Sequence, residues 1–380
     1  MDFELNADQK LIVDSVAAFV KKELPLERTR KLREDDVGYS REAYRQMGEL
    51  GWLGIMHPES VGGFGGRFVD AALVLEQLGA GLVPEPYAAS AVVAGSALSL
   101  AGTAAQQETY LTPALSGDTT LAFAWAEAGG RFDATSCATR AEKTAGGYRV
   151  RGKKVWVENG HAADCLVVTA RTGGRDGEAA GMSLFLVEAN EVRRTHVKCM
   201  DGRRAAMVEL DCELPAERLL GEAGEAGDTI ALVLDRGAAA ACAEGYGVMK
   251  TALALTVDYL KTRDQFGVKI GTFQVLQHRA VDMFIEAELS RSVMLLAALK
   301  CDEPDAVERQ RAISVAKAQV AASGRYVTQQ AIQLHGGIGI TDEADIGLYF
   351  KRMHVLGTVF GDEEHHVRRF AALPSFAAAL

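Results

Sequence analysis

A change of sequence texture, which occurs twice along the chain, limits the possible folds more than any other feature. Residues 1–118 and 226–380 carry apolar side chains at helical spacing, whereas residues 119–225 alternate apolar and polar residues in short runs between glycines. A period near 3.6 is typical of helices and a period of two is typical of strands. The sequence therefore predicts an α+β protein with an N-terminal helical domain over 1–118, a middle antiparallel β domain over 119–225 and a C-terminal helical domain over 226–380.

The C-terminal region gives the clearest helical pattern. Predicted helices cover residues 228–261, 273–301, 305–334 and 342–356, and a further helix follows Gly361. The predicted strands of the middle domain are shorter and rich in β-branched residues, and they start at Tyr148, Lys154, Leu166, Met182 and Ala206.

Composition excludes several classes of protein. The chain has 380 residues and a formal net charge of −10, which argues against nonspecific nucleic-acid binding. No apolar run reaches the roughly 20 residues that cross a bilayer, and the N-terminus lacks a basic and apolar leader, so we expect a cytoplasmic protein. The six cysteines show no Cys-x-x-Cys spacing. We therefore expect reduced thiols and no metal site.

Two short motifs suggest a ligand site. Arg263 stands where a predicted helix ends, and Asp-Gln-Phe-Gly follows it. A guanidinium that reaches beyond a helix end can bind a phosphate through two hydrogen bonds. About seventy residues later comes Gln333-Leu-His-Gly-Gly337, where paired glycines permit close approach of a ligand to the backbone. Arg263 could otherwise satisfy the last carbonyls of its own helix.

The two motifs and the order of the three textures resemble the flavin-dependent acyl-CoA dehydrogenase family over the whole chain. This resemblance implies a middle β-barrel, a C-terminal four-helix bundle and a tetramer. It also implies FAD as cofactor, held between the β domain and the C-terminal domain of one subunit and at its adenine end by a neighbouring subunit. Within the family the chain is most similar to the small subunit of the pimeloyl-CoA (dicarboxylyl-CoA) dehydrogenase type.

The resemblance assigns cofactor contacts residue by residue. Arg263 would contact the pyrophosphate. The adenosine end would be lined by side chains and backbone of the same two motifs, namely Gln265, Phe266, Phe273, Gln274, Gln333, Gly336 and Gly337. Trp156 and Glu158 match the segment beside the flavin ring, where the family has a hydroxyl in place of Glu158. A carboxylate there disfavours flavin reduction unless it is protonated or turned away. Trp156 could alternatively be a core residue of its strand.

The catalytic base is the main departure from the family pattern. Phe360 occupies the position at which the family usually carries its glutamate, and phenylalanine cannot accept a proton. Some members place the base on the first C-terminal helix, where Glu244 lies among small residues. A buried carboxylate is costly unless it is paired or protonated, which makes Glu244 our candidate base. Glu244 could instead pair with a neighbouring arginine or cap a helix.

Three functions remain open from the sequence. The chain could be an FAD-dependent dehydrogenase that desaturates an acyl-CoA, such as a dicarboxylyl-CoA, and passes electrons to electron-transfer flavoprotein. It could be a noncatalytic small subunit that completes the FAD site of a larger subunit in an α2β2 heterotetramer. It could also be a family member turned to flavin oxidase or monooxygenase chemistry. Homotetramer and heterotetramer both fit the sequence.

Overall fold

The computed structural model describes residues 5–374, and their contacts divide the chain into two compact units. Unit 1 is formed by Met1–Arg30, Phe68–Val83 and Ala238–Leu380, and unit 2 by Lys31–Arg67 and Pro84–Gly237. The N-terminal helices are shared out between them: α1 (Ala7–Glu23) and α4 (Phe68–Ala80) belong to unit 1, and α3 (Arg41–Glu49) belongs to unit 2. The division into three domains at residues 118 and 225 stays a prediction.

One sheet of eight strands dominates unit 2. The strands are β1 (Leu121–Ala124), β2 (Arg140–Thr144), β3 (Gly147–Glu158), β4 (Cys165–Arg171), β5 (Met182–Glu188), β6 (Arg193–Lys198), β7 (Arg204–Pro215) and β8 (Leu219–Leu220). Their order is β6-β7-β3-β2-β4-β5-β8, and β1 lies beside β4. The long pair of β3 and β7 contains a bulge between Lys154 and Val157. The apolar core of the sheet includes Val150, Leu166, Phe185 and Val208.

The expected antiparallel barrel is wrong, because the sheet is open and mixed. β1 runs parallel to β4, and so does β2 at its single pair. Within residues 5–374, β6 pairs only with β7, β8 only with β5 and β1 only with β4, so the sheet does not close. Parallel pairing suits β1 and β4 because both are buried along their whole length. The edge strand β6 carries exposed Arg193 and Lys198, which disfavour further pairing.

The helical part of unit 2 is irregular. A π-helical segment, Tyr87–Ala94, continues into α5 (Gly95–Ala101). A second π-helical segment, Gln107–Leu111, lies between α6 (Ala104–Gln106) and α7 (Thr112–Leu115). The short helix α2 (Leu26–Leu32) spans the boundary between the units in sequence.

Long helices form most of unit 1. They are α8 (Gly227–Thr262, which belongs to unit 1 from residue 238), α9 (Gln274–Lys300), α10 (Ala306–His335), α11 (Ile346–Leu356) and α12 (Glu363–Ala371). The C-terminal helical domain is thus confirmed, and its described part, up to residue 374, has five helices where the resemblance implied a four-helix bundle. α10 packs against α9, α11 and α12. Within residues 5–374, none of the helices has both the length and the apolar character that a membrane span requires.

Glycine lets α4 and α8 pack backbone to backbone. A Cβ atom on Gly247 would lie 2.0 Å from the carbonyl oxygen of Glu76, and a Cβ on Gly79 would lie 2.2 Å from that of Glu244. No side chain fits at such distances, so both glycines are required by the contact. This close packing buries the stretch of α8 that carries Glu244.

Candidate functional site

The chain leaves α8 at Arg263 and forms a tight hairpin. Its strands are β9 (Asp264–Gln265) and β10 (Val268–Lys269). Phe266 and Gly267, the two turn residues, have φ angles of 54° and 77°, as a type I′ turn requires. The Lys269 ammonium donates to Asp264 at 2.5 Å and to the Thr262 carbonyl at 2.9 Å, which fixes the hairpin to the end of the helix.

Phe266 is both strained and exposed. A bulky side chain at positive φ is rare, and strained residues cluster at functional sites. The Phe266 side chain is 86% exposed, and its ring meets Phe273 edge to face at 6.0 Å between centroids. An apolar ring held in a costly conformation and left in water suggests that it contacts a ligand or another chain.

The two sequence motifs meet in unit 1. The rings of Tyr259 and His335 stack with centroids 4.5 Å apart and planes inclined by 20°. Tyr259 is one turn before Arg263, and His335 directly precedes Gly336. The stack therefore brings the ends of α8 and α10 together. Sequence reasoning missed this contact, although an aromatic residue in the last turn of each helix was a visible signal.

The surface beside this stack suits an extended anionic ligand. Gln333, Gly336 and Gly337 are exposed, and a Cβ atom at either glycine would have no neighbour within 4 Å. The exposed Arg263 guanidinium forms no hydrogen bond or ion pair with any part of the chain between residues 5 and 374. The Arg263 guanidinium and the accessible backbone at the two glycines suit the phosphates of a dinucleotide, and the exposed Phe266 ring suits its aromatic base. Gln265 and Gln274 are exposed in the same segment.

Unit 2 presents a second exposed aromatic group. Trp156 lies in the bulge of β3 with φ of 53°, and its side chain is 57% exposed. Asn159 follows with φ of 56°, and its amide nitrogen donates to the Leu121 carbonyl at 3.0 Å. The alternative that Trp156 fills the core is therefore wrong, because the bulge turns its ring outward. Glu158 is half-buried between these residues.

A buried ion pair supports the loop next to Trp156. The Lys154 ammonium donates to the Glu127 carboxylate at 2.7 Å. Glu127 also accepts from Ala138 N at 2.7 Å and from Thr139 Oγ1 at 2.7 Å. Burial by itself would raise the pKa of Glu127, but the charge and hydrogen bonds of Lys154 and Thr139 outweigh it and lower that pKa to about 2. While the Lys154 ammonium stands beside it, Glu127 is therefore ionised and holds the loop.

Glu244 is engaged by an arginine. Arg352 of α11 donates Nε to Glu244 Oε1 at 2.8 Å and Nη2 to Glu244 Oε2 at 2.7 Å. Both side chains are buried, with exposures of 6% for Arg352 and 5% for Glu244. A bidentate pair of this kind directs both carboxylate oxygens at the guanidinium. The alternative that Glu244 pairs with a neighbouring arginine therefore describes its surroundings, and its role as a base stays a prediction.

Phe360 lies on a turn that one buried lysine and one buried histidine hold. Its φ is 56°, and Lys317 Nζ donates to the Gly361 carbonyl at 2.7 Å and to the Gly357 carbonyl at 3.2 Å. His366 Nε2 lies 3.0 Å from the Phe360 carbonyl oxygen and donates to it. Burial, reinforced by the charge of Lys317, lowers the pKa of His366 to about 2, so the ring is neutral.

Comparison with known proteins places three segments of the chain in one protein family. Residues 6–118, 122–212 and 228–372 match the N-terminal, middle and C-terminal domains of acyl-CoA dehydrogenases. The chain is 32% identical to "Probable acyl-CoA dehydrogenase YngJ" of Bacillus subtilis over 90% of this chain and 91% of that protein.

Two solved structures share the fold. Butyryl-CoA dehydrogenase from Megasphaera elsdenii superimposes with a TM-score of 0.87 at 28% identity, covering 98% of this chain and 99% of the other. A chain of the ChsE4-ChsE5 complex from Mycobacterium tuberculosis gives 0.88 at 27% identity, covering 98% of each. The protein therefore belongs to the acyl-CoA dehydrogenase family of FAD-dependent oxidoreductases.

Proposed function

We propose that this chain is the FAD-completing subunit of a heteromeric acyl-CoA dehydrogenase, in which a partner subunit supplies the general base. Desaturation of an acyl-CoA requires a positioned base that removes the α proton. FAD, when bound, accepts the hydride from the β carbon. In this assignment the chain helps to hold the cofactor, and the partner subunit removes the proton.

The state of the two candidate base positions carries the proposal. Arg352 holds both oxygens of Glu244 inside the core of unit 1. A general base must instead aim a lone pair at the substrate proton from within hydrogen-bond reach. At the other position Phe360 has no titratable group. Lys317 and His366 fix the turn that carries Phe360, which supports a role for the Phe360 ring in occupying space and not in proton transfer.

Most of the proposed cofactor contacts lie in unit 1. Arg263 would bind the pyrophosphate, and Phe266 and Phe273 would pack against the adenine. The backbone at Gly336 and Gly337, with the amides of Gln265, Gln274 and Gln333, would line the remainder. In unit 2, Trp156 would stack beside a flavin ring, with Glu158 turned away from it.

An exposed apolar face supports assembly with further subunits. Val281, Phe284, Ile285 and Leu289 share one side of α9 and are between 48% and 54% exposed. Apolar stripes of this size on a single chain commonly mark protein interfaces. The ChsE4-ChsE5 structure is named as a complex of two proteins. By likeness we propose an α2β2 heterotetramer over a homotetramer.

The substrate in this proposal is an acyl-CoA thioester, and the acceptor is electron-transfer flavoprotein. A dicarboxylyl-CoA would need a cation facing the far carboxylate of its acyl chain, and we assign none. The dicarboxylyl class therefore follows only from the resemblance to the small subunits.

An anaerobic titration tests the proposal. The purified full-length chain is saturated with FAD, and its visible spectrum is followed while butyryl-CoA or pimeloyl-CoA is added. We expect the flavin absorbance to persist with both esters. Bleaching that disappears in Glu244→Gln would overturn the proposal and make the chain a self-sufficient dehydrogenase with Glu244 as base.

Retention of FAD tests the cofactor contacts separately. Arg263→Ala removes charge-assisted hydrogen bonds worth roughly 1.5–3 kcal/mol, so the FAD dissociation constant should rise roughly 10- to 100-fold. Arg175→Ala is the control, because Arg175 is an exposed arginine of unit 2 that pairs with Glu178. Equal FAD affinity in the two variants would contradict the assignment of Arg263.

A further inference from the structure

A thiol and an amine lie side by side in the interior of unit 2. Lys154 Nζ is 3.6 Å from Cys137 Sγ, and both side chains are fully buried. The ammonium also donates to Thr169 Oγ1 at 2.9 Å and to the Trp125 carbonyl at 3.3 Å. The thiol donates to Glu127 Oε1 at 3.3 Å. Thus one carboxylate receives hydrogen bonds from both the amine and the thiol.

We propose that Cys137 and Lys154 form an oxidative crosslink, a sulfur–nitrogen bond, when the protein meets hydrogen peroxide. No feature of the dehydrogenase reaction requires a thiol beside this lysine. The pair does not depend on the proposed role of the chain, because it rests on the geometry of unit 2 alone. A sulfenic acid condenses with a backbone nitrogen to form a sulfenamide, and we assign the same type of bond to Lys154 Nζ.

The reaction balances within the cluster. Hydrogen peroxide oxidises the Cys137 thiol to a sulfenic acid and is reduced to one water molecule. Lys154 Nζ gives one proton to the Glu127 carboxylate and attacks the sulfur with its freed electron pair. The sulfur–oxygen bond breaks as the sulfur–nitrogen bond forms. The departing hydroxide takes a second proton from Nζ and leaves as another water molecule.

The position of Glu127 makes this product electrostatically acceptable. Removing the charge of Lys154 alone would leave a buried carboxylate without its cation, which is costly. Transfer of the lysine proton to Glu127 neutralises both partners together. The crosslinked cluster therefore contains no isolated charge.

Access to the thiol depends on one short loop. Cys137 lies between half-buried Ser136 and exposed Ala138, so a local opening of this loop admits a molecule as small as peroxide. Buried thiols react slowly, and we expect slow kinetics here as well. Once formed, the bond would tie this loop to β3 two residues before Trp156 and its bulge.

Peptide mass spectrometry tests the crosslink on the full-length protein. The protein is treated with increasing hydrogen peroxide, digested with trypsin without reductant and compared with a reduced sample. We expect a linked pair of peptides containing Cys137 and Lys154, lighter than their sum by two hydrogen atoms. Trypsin should no longer cleave after Lys154, and reduction should restore both peptides.

Variants separate the crosslink from general oxidation. Cys137→Ser and Lys154→Arg should both lose the linked pair. Cys165→Ser should keep it, because Cys165 is an equally buried thiol of unit 2 whose hydrogen bond goes to the Leu166 carbonyl. Oxidation of Cys137 to a sulfinic acid while the Lys154 peptide stays free would overturn the proposal. So would a linked pair that retains an additional oxygen atom, because the sulfenamide formed in the proposed step carries none. If Lys154→Arg does not fold, Cys137→Ser alone decides.

Discussion

Glu244→Gln should destabilise unit 1 severely. The substitution keeps the size of the side chain and removes its charge. Arg352, whose side chain is 6% exposed, would remain buried without the carboxylate that compensates its cation. Leaving one member of a buried ion pair in this state costs about 3–5 kcal/mol. The equilibrium constant for folding should therefore fall by roughly 10²- to 10⁴-fold.

Urea denaturation followed by far-ultraviolet circular dichroism measures this loss. The free energy of unfolding is compared for wild type, Glu244→Gln and a matched control, Glu364→Gln. Glu364 pairs with Arg368 on the surface of α12, with side-chain exposures of 70% and 74%. Exposed helical pairs contribute about 0.3–0.5 kcal/mol, so the control should change little.

A second variant distinguishes the charge from the packing. Glu244→Leu combined with Arg352→Met replaces the pair by apolar side chains of similar volume. Such replacements of buried pairs are often neutral or stabilising. We therefore expect the double variant to recover most of the stability that Glu244→Gln loses.

The result that would refute this reasoning is a small effect of the single substitution. If Glu244→Gln lowered the unfolding free energy by no more than Glu364→Gln, the carboxylate would not be a structural counter-charge. Glu244 would then be free to act as the base predicted from the sequence, and loss of flavin bleaching in the variant would be the expected companion result.

Two further predictions concern strain and pH. Phe266→Asn should raise the free energy of unfolding by about 1 kcal/mol, because asparagine tolerates positive φ better than phenylalanine does. The same substitution should weaken FAD retention because the ring is lost. A variant less stable than wild type would contradict the claim that Phe266 is strained. Burial lowers the pKa of His57 from 6.5 to about 4, against the opposing hydrogen bond with the Ala91 carbonyl. The unfolded chain therefore binds a proton at His57 more readily than the folded chain does. The contribution of His57 to the free energy of unfolding is thus present above pH 6.5 and is lost as the pH falls towards 4. Between pH 7 and pH 4.5 the free energy of unfolding should fall by roughly 2 kcal/mol through this group, and by less in His57→Gln. Urea denaturation at several pH values measures the difference, and equal pH slopes for wild type and His57→Gln would contradict the prediction.

Local patterns predicted the helices of unit 1 closely. The predicted helix over residues 273–301 is found as Gln274–Lys300, and that over 305–334 as Ala306–His335. Apolar spacing and capping act within one helix, so a single sequence contains them. The Asp305 side chain, for example, caps α10 by accepting from Val307 N and Glu308 N.

The sheet was predicted less well, for a topological reason. Alternation located strands near Tyr148, Leu166 and Met182, but it carries no information on which strands become neighbours. β1 and β4 pair in parallel, with Leu121 opposite Cys165, although more than forty residues separate the two strands along the chain. A pattern with a period of two cannot encode that choice.

The sequence by itself determined the order of helical and β segments, the two spaced motifs around Arg263 and Gly336, and the absence of the usual glutamate at Phe360. Only the tertiary structure decided the partners. It paired Glu244 with Arg352, 108 residues away, stacked Tyr259 on His335, and placed Lys154 against Cys137. Helix periods and turn signals arise from neighbours along the chain, whereas these pairs arise when packing buries distant side chains together, and burial then decides their charge and reactivity.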